Sequence, residues 1–241
     1  MPEIDGFEVC RKLKENRATR HIPVMFVTSM TSSSAEFEGL QLEAMEYINK
    51  PVNPSTLRMR VRNLVRLKLM QDQLMHLSTH DALTGIANRR HFDEVLEREW
   101  RRAMRARDPI SLIMFDVDHF KQFNDHYGHI EGDHCLQQVG IALAAEINRP
   151  GDLAARYGGE EFAVILASTK LDDALAIAEK CRAKIEALQI LHEASSFRRV
   201  TVSCGVSSLV PSDSCSMLEL KEQADRKLYA AKSLGRNRVV A

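Results

Sequence analysis

Two glycines followed by two glutamates stand between two short apolar runs, and this stretch limits the possible fold more than any other. Gly158 and Gly159 precede Glu160 and Glu161, and the flanking runs are Leu153-Ala154-Ala155 and Ala163-Val164-Ile165-Leu166. Glycine adopts positive φ without steric penalty, so the pattern predicts a β-hairpin whose turn is the glycine pair. Two adjacent carboxylates beside such a gap can bind a hard cation that shares oxygen ligands with phosphates. An ordinary hairpin with solvated acids has the same pattern.

Composition and charge argue against several classes of protein. The 241 residues suffice for one large domain or two modest ones. Lys plus Arg equals Asp plus Glu at 33 each, so we expect neither a nucleic-acid partner nor a membrane partner. The five cysteines are odd in number and dispersed, which suits a reducing compartment. The sequence lacks an apolar run near the roughly 20 residues of a membrane span, and we expect a cytoplasmic protein.

The first 52 residues alternate between helical and extended patterns. An amphipathic helix through Phe7 and Leu13 leads to the apolar run 22–29, which predicts a buried parallel strand. A helix over about 34–42 and a short strand over 44–51 follow. The alternation is typical of a βαβ unit.

These residues resemble the second half of a response-regulator receiver domain. The resemblance rests on the loop Met1-Pro2-Glu3-Ile4-Asp5-Gly6, on a strand closing in Thr28-Ser29, and on Lys50-Pro51. It implies that Thr28 or Ser29 and Lys50 contact a phosphorylated aspartate lying upstream of the Met-Pro pair. We therefore interpret Met1 as an internal methionine, with a genuine short form as the alternative. We expect a histidine kinase to act only on a longer form.

A long helical pattern joins this segment, 1–52, to the rest of the chain. It covers 53–78, with Ser55 as the predicted cap and the domain boundary near Ser78. Its apolar residues form two stripes: Leu57, Val61 and Leu64, then Leu67, Met70, Leu74 and Leu77. Packing on one domain and a dimeric coiled coil both fit such stripes, and the position between two domains favours a coiled coil or stalk.

The remaining residues, 79–241, predict an α+β fold. A helix through Trp100 and Met104 comes first, followed by a strand over 110–115, a helix over 135–147 and the hairpin. A helix over 172–188, a strand over 199–206, a helix over 218–234 and the strand Val239-Val240 complete the order. One antiparallel hairpin within a βααββαβαβ order predicts a palm-like mixed sheet with helices packed on it.

Asp116 follows a buried strand, where sheets commonly place ligands. If the hairpin lies beside that strand, Asp116, Glu160 and Glu161 converge, and their mutual repulsion predicts Mg²⁺ with a nucleoside triphosphate. Three basic residues can meet the phosphates: Lys121, Lys232 and Arg236. An amide with a carboxylate can read the edge of guanine, which makes Asn124 and Asp133 candidates for the base.

Seven stretches together resemble the GGDEF family of diguanylate cyclases. They are Asp81-Ala82-Leu83-Thr84-Gly85, Phe115-Asp116-Val117-Asp118-His119-Phe120-Lys121, Asn124-Asp125, Gly128-His129, Gly132-Asp133, Arg156-Tyr157-Gly158-Gly159-Glu160-Glu161-Phe162 and Ala231-Lys232-Ser233-Leu234-Gly235-Arg236-Asn237. The similarity covers essentially all of 79–241. With the receiver segment ahead of it, the chain is similar to Wsp-type response regulators, which couple surface sensing to cyclic di-GMP.

The resemblance implies that two GTP molecules condense to cyclic di-GMP and two pyrophosphates. Asp116, the Val117 carbonyl and Glu160 would hold Mg²⁺, with Mn²⁺ as the alternative ion. Glu160 or Glu161 would deprotonate the attacking 3′-hydroxyl, and the resemblance does not separate the two. Substrate binding would fall to Asn124, His129, Asp133, Gly158, Gly159, Lys232 and Arg236, with Lys121 among the catalytic groups. A homodimer or higher oligomer, assembled through the stalk helix, would bring two GTP molecules together.

Arg149-Pro150-Gly151-Asp152 matches the RxxD inhibitory site of the same family. Arg149 and Asp152 would bind the product, cyclic di-GMP, and Lys180 or Arg182 would complete the site. The sequence leaves open which of the two serves.

Three other functions compete with this interpretation. The chain could be a cyclic di-GMP receptor without catalysis, although the intact acidic and basic residues argue against it. It could be an assembly module that is catalytically idle because the receiver is incomplete. It could also be a cyclase that accepts ATP, which Asp133 disfavours.

Overall fold

A computed structural model describes residues 5–16, 19–29 and 46–241 of the chain. The chain divides into two units, Met1–His76 and Leu77–Ala241, and the division falls inside a long helix. None of the helices in the described ranges combines the length and the apolar character that crossing a bilayer requires.

Within the described residues, the first unit contains a short helix, two parallel strands and most of the long helix. Helix α1 (Gly6–Glu15) begins after Asp5, whose side chain accepts a hydrogen bond from the Glu8 amide at 2.8 Å. Strands β1 (Met25–Thr28) and β2 (Glu46–Asn49) pair in parallel, which confirms the predicted parallel strand. The helix predicted over 34–42 lies outside the described residues.

Strand β1 is less buried than its sequence predicts. Val27 is 42% exposed, whereas Ile48 on β2 is buried. Within the described residues β1 pairs with β2 alone, so its other edge has no strand beside it. The prediction of a buried parallel strand is therefore confirmed in its parallel pairing and wrong in its burial, since β1 is only partly buried.

Helix α2 (Pro54–Thr79) follows, and Asn53 rather than Ser55 caps it. Asn53 Oδ1 accepts from the Ser55 amide at 2.9 Å and from the Ser55 hydroxyl at 2.6 Å, while Pro54 takes the first helical position. No residue of α2 is buried. The second predicted stripe lies in solvent, and its exposed members are Leu67, Met70, Leu74 and Leu77.

The second unit alternates helices and strands in the predicted order. Its elements are α3 (Arg89–Ala106), β3 (Ile110–Val117), α4 (Phe120–Tyr127), α5 (His129–Glu146), β4 (Leu153–Gly158), β5 (Glu161–Ala167), α6 (Leu171–Glu186), β6 (Val202–Leu209), α7 (Met217–Ser233) and β7 (Val239–Val240). Helix α5 begins six residues before the predicted start at Cys135, directly after Gly128, whose φ is 84°.

The five strands form one mixed sheet in the order β4-β5-β3-β6-β7. All neighbours are antiparallel except β6 and β7, which confirms the predicted α+β architecture. Side chains alternate between the two faces of a strand, so Ile113 and Phe115 of β3 pack with α5 and α6, while Leu112 and Met114 pack with α3 and α7. Strand β3 is buried along its whole length at the centre of the sheet.

Gly205 brings β6 and α7 into unusually close contact. A methyl group at this position would overlap the Ala224 carbonyl oxygen and the Leu228 amide nitrogen, both in the backbone of α7. The missing side chain therefore sets the distance between the sheet and α7, which carries Lys232.

Candidate active site

Asp116 lies on the central strand opposite the glutamates of the hairpin. Because β3 and β5 are antiparallel, Asp116 and Glu161 are partners in the register, and the Val117 amide donates to the Glu160 carbonyl oxygen at 3.3 Å. Lys232, in the last turn of α7, places its Nζ 2.7 Å from Asp116 Oδ2. Three segments that are distant in the sequence thus bring charged groups to one end of the sheet.

The Asp116 carboxyl is buried among charges of both signs. Burial raises the pKa of Asp116, Lys232 lowers it, and Glu160 and Glu161 raise it, so the net shift is upward. Its donor atoms suit a hard cation, which would relieve the repulsion between neighbouring carboxylates. Among the residues described, however, no three His, Cys, Asp or Glu side chains meet as a metal-binding group. Asp116 is paired with Lys232, and the negative charges of Glu160 and Glu161 lie near enough to act on its pKa although the three side chains do not meet at one point.

The hairpin turn lies one residue further along than predicted. Gly158 is the last residue of β4 and pairs with Glu161, so the turn consists of Gly159 and Glu160. Of the two glycines, Gly159 alone has a positive φ, at 48°. Arg156 Nε donates to the Gly159 carbonyl oxygen at 2.9 Å and thereby braces the turn.

Arg156 also binds a carboxylate outside the hairpin. Its Nη1 donates to Asp81 Oδ1 at 3.1 Å, and the same oxygen accepts from the amide and hydroxyl of Thr84. Burial raises the pKa of Asp81, but the hydrogen bonds from Thr84 and Arg156 lower it by more, so the net shift is downward. The ion pair ties the hairpin to the segment that precedes α3.

Two consecutive helices carry the residues predicted to bind the base. Lys121 and Asn124 lie on α4, and His129 and Asp133 lie on the first turns of α5. Asn124 Oδ1 is buried and has no hydrogen-bond partner within the described residues, and a methyl group at Gly132 would overlap it. A buried acceptor without a donor is costly, so this oxygen is suited to receive a donor from a ligand.

A depression adjoins the glutamates on the α7 side of the sheet. Tyr157, Glu161, Asp225, Tyr229 and Lys232 contribute to its lining. Burial raises the pKa of Asp225. The depression thus offers aromatic surfaces together with groups of both charges next to Asp116.

A second depression lies away from this site, at the predicted inhibitory residues. Arg149, Asp152 and Lys180 line it together. Asp152 Oδ1 accepts a hydrogen bond from the Ala167 amide at 2.9 Å, which fixes the carboxylate against β5. Burial raises the pKa of Asp152, while the Ala167 amide and Arg149 lower it, with a net upward shift.

Arg182, the other candidate for this depression, binds elsewhere. Its guanidinium donates to Glu179 and Glu186 at 2.7 Å each and to Asn237 Oδ1 at 2.6 Å. The structure therefore brings Lys180 to Arg149 and does not bring Arg182 there. Lys180 and Arg182 are two residues apart on α6, and side chains at this spacing point to different faces of a helix.

The family model for the diguanylate cyclase GGDEF domain matches residues 78–238. The chain belongs to the GGDEF family of diguanylate cyclases. The model for the response regulator receiver domain matches residues 1–62. Both resemblances inferred from the sequence are thereby confirmed.

A curated relative is similar to this GGDEF protein over almost its whole length. The response regulator PleD of Caulobacter vibrioides is 34% identical over 245 residues, which cover 98% of this chain and 53% of PleD. The chain thus spans about half the length of that relative.

Two solved structures cover the GGDEF unit. The coiled coil and GGDEF domain of DgcB from Caulobacter crescentus, in complex with c-di-GMP, has a TM-score of 0.69 at 32% identity and covers 78% of this chain and 97% of DgcB. The active GGEEF domain of a diguanylate cyclase from Vibrio cholerae has a TM-score of 0.56 at 32% identity, covering 64% of this chain and 96% of that one.

The receiver residues are also close to each other. Thr28 ends β1 and Lys50 directly follows β2, and the Lys50 amide donates to the Thr28 carbonyl oxygen at 2.7 Å. Parallel pairing brings the ends of the two strands to the same edge.

Sequence reasoning assigned no role to several residues that shape the GGDEF site. Asp81 and Arg156 form one ion pair, and Asp118 is a buried hydrogen-bond acceptor. All three stand in stretches that carry the family resemblance. The pairing of Asp81 with Arg156 spans 75 residues, so no local pattern could reveal it.

Gly132→Ala should weaken GTP binding without destabilising the GGDEF domain. The new methyl displaces Asn124 Oδ1, while Ala is favoured over Gly within a helix by up to about 1 kcal/mol. We expect the Kd for GTP, measured by titration calorimetry, to rise about tenfold through loss of a buried hydrogen bond. The exposed substitution Gln138→Ala, on the same helix, is the control. Unchanged GTP affinity in Gly132→Ala would contradict the assignment of Asn124.

Proposed function

We propose that this chain condenses two GTP molecules into cyclic di-GMP and two pyrophosphates. The observation that carries the proposal is the pairing of β3 with β5, which sets Asp116 beside Glu160 and Glu161 with Lys232 at the same end of the sheet. The glycine and glutamate motif has the same sequence as the GGEEF motif named for the active Vibrio cholerae domain.

The reaction is a nucleotidyl transfer that occurs twice. The 3′-oxygen of one GTP attacks the α-phosphorus of the other, and the bond from that phosphorus to the bridging oxygen of the β-phosphate breaks. Pyrophosphate leaves with the electron pair of this bond. The hydroxyl proton passes to the carboxylate of Glu160 or Glu161. A second transfer with the roles of the two nucleotides exchanged closes the ring.

Asp116, the Val117 carbonyl and Glu160 would hold Mg²⁺, or Mn²⁺ in its place. These oxygen ligands fit a hard divalent cation, and a cation would offset both the burial of the Asp116 carboxyl, which is the main cause of its raised pKa, and the repulsion from Glu160 and Glu161. When bound, the ion would neutralise negative charge on the phosphates.

The remaining polar residues would orient the nucleotide. Asn124 and Asp133 would bind the guanine edge together with His129, since the buried Asn124 oxygen has no hydrogen-bond partner within the described residues and would accept a donor from the base. Lys121, Lys232 and Arg236 would bind the phosphates as positive charges. The absence of side chains at Gly158 and Gly159 would let the nucleotide approach the hairpin backbone.

Catalysis would take place between two copies of the chain. Each copy would bind one GTP, and a product with two-fold symmetry requires two such sites to face each other. The exposed apolar residues of α2 support self-association, because they are arranged at helical spacing and have no cover within the described residues. The DgcB structure contains a coiled coil as well as a GGDEF domain.

The proposal is tested by incubating the purified chain with GTP and Mg²⁺. We expect cyclic di-GMP and pyrophosphate in a ratio of about one to two, identified by chromatography and mass, which follows from the balanced reaction. ATP should neither react nor compete, since Asp133 selects guanine. A folded chain that binds GTP and forms no product would instead support the idle binding or assembly module.

The depression formed by Arg149, Asp152 and Lys180 would bind cyclic di-GMP as a feedback inhibitor. Two basic side chains and a carboxylate fixed by the Ala167 amide can bind phosphate and the guanine edge at once. Lys180 would serve as the basic residue from α6, because Arg182 is bound to other partners.

Arg149→Ala should relieve product inhibition. Removing one charge-assisted hydrogen-bond donor should raise the cyclic di-GMP concentration that halves the rate by at least about tenfold. The measurement is initial rate against added product. Arg101→Ala, which removes an exposed arginine from α3, is the control and should be inhibited by cyclic di-GMP as strongly as the parent. Equal inhibition of Arg149→Ala and the parent would count against the site.

A further inference from the structure

A buried carboxylate next to the proposed metal site binds the turn 234–238, which connects α7 to β7. Asp118 is 1% exposed. Its Oδ2 accepts hydrogen bonds from the Thr201 hydroxyl at 2.8 Å and from the backbone amide of Asn237 at 3.0 Å. Its Oδ1 accepts one from the Ser203 hydroxyl at 2.6 Å. Asp118 therefore joins the end of β3 to the start of β6 and to the turn after α7.

The side chain of Asn237 is bound from the opposite side by α6. Arg182 Nη1 donates to Asn237 Oδ1 at 2.6 Å, and Asn237 Nδ2 donates to Glu186 Oε1 at 3.2 Å. Arg182 also donates to Glu186 Oε2 at 2.7 Å, and only 14% of its side chain is exposed. Asn237 is thus held through its backbone by Asp118 and through its side chain by α6.

The backbone of this turn needs such support. Arg236 and Asn237 have φ values of 64° and 44°, so two consecutive residues other than glycine lie in the left-handed region. This conformation is unfavourable for residues with a Cβ atom and persists where surrounding contacts hold it. Asp118 and Arg182 supply two of these contacts at Asn237, beside the backbone bond from the Arg236 amide to the Ala231 carbonyl oxygen at 3.0 Å.

The turn connects directly to the proposed phosphate-binding residues. Lys232 precedes it in the last turn of α7 and pairs with Asp116, and Arg236 belongs to the turn itself. Two carboxylates at the end of β3 therefore hold the same segment, Asp116 through Lys232 and Asp118 through Asn237.

We infer that Arg182 and Asp118 are positioning residues that hold Asn237, and through it keep Lys232 and Arg236 at the phosphate end of the site. The inference rests on the proposed function of those two basic residues. It also assigns Arg182 to the substrate side of the domain rather than to product binding.

Arg182→Gln in the full chain tests the inference. We expect kcat/KM for GTP to fall about tenfold, through loss of a charged hydrogen bond that fixes the turn. The concentration of cyclic di-GMP that halves the rate should stay at the parent value, whereas Lys180→Gln should raise it. Arg101→Gln, an exposed arginine on α3, is the matched control and should match the parent in every measurement.

Hydrogen exchange supplies a readout that does not depend on turnover. The amides of 235–238 should exchange faster in Arg182→Gln than in the parent or in Arg101→Gln, while the strands keep their protection. Asn237→Gly retains the backbone bond to Asp118 and the left-handed φ, but it loses the bonds to Arg182 and Glu186. Adding Arg182→Gln to Asn237→Gly should therefore lower kcat/KM for GTP little further.

Three results would overturn the inference. They are parent-like kinetics with parent-like exchange in Arg182→Gln, a change confined to product inhibition, and fully additive losses in the double variant. If the parent makes no cyclic di-GMP, the proposed function fails, and the exchange of 235–238 still decides whether Arg182 holds the turn.

Discussion

Asp116→Asn should lower the proposed rate of cyclic di-GMP synthesis by at least about 100-fold and leave the fold intact. The substitution removes the negative charge that faces Lys232 and the hairpin glutamates, at the centre of the proposed metal site. Losses of this size are typical when one preorganised electrostatic group is removed from an active site. The measurement is initial rate at saturating GTP and Mg²⁺.

Stability and a second substitution separate the chemistry from folding. Lys232 is 32% exposed and can return to water, so the thermal unfolding of Asp116→Asn should stay close to that of the parent. Asp213→Asn changes an exposed carboxylate in the loop before α7 and should not affect the rate. An Asp116→Asn chain that turns over GTP at the parent rate would remove Asp116 from the mechanism.

Gly205→Ala should destabilise the GGDEF domain by about 3 kcal/mol or more. The added methyl meets two backbone atoms of α7, and backbone cannot rotate aside as a side chain can. Either β6 or α7 must move, which disrupts the packing of Leu220, Ala224 and Leu228 on the sheet. For a unit of this size we expect the midpoint of thermal unfolding to fall by about 6 to 12 °C.

Gly158→Ala is the matched control for stability. Its new methyl would come no closer than 4.0 Å to the nearest atom, Glu161 Oε2, so the unfolding midpoint should change little. Similar destabilisation by both substitutions would mean that the contact with α7 does not explain the effect at Gly205.

The sequence predicted the parts of the site that depend on strand order. Asp116 ends a continuous apolar run and the hairpin follows two helices later, so their pairing in one sheet follows from the alternation of elements. The turn of the hairpin lies one residue later than the sequence predicts, because a bulge between Arg156 and Gly158 shifts the register of β4 against β5. Such a bulge depends on the partner strand and leaves little trace in the sequence.

Long-range polar pairs could not be predicted in the same way. Asp118 and Asn237 are 119 residues apart, and Arg182 and Asn237 are 55 apart. The ambiguity between Lys180 and Arg182 therefore persisted until the packing of α6 was known. The cap of α2 depends on neighbouring residues only, but Asn53 and Ser55 are both residue types that cap helices well. Pro54 occupies the first helical position, which makes Asn53 the cap.

The most direct measurement of the central claim, that two copies each supply half of the active site, is a mixing titration. Parent chain and Asp116→Asn are combined at fixed total concentration, subunit exchange is verified, and the rate is recorded against the parent fraction. If both copies must be intact, equal parts should give about one quarter of the parent rate, the probability that two parent copies pair. A rate of about one half, linear in the parent fraction, would contradict the claim.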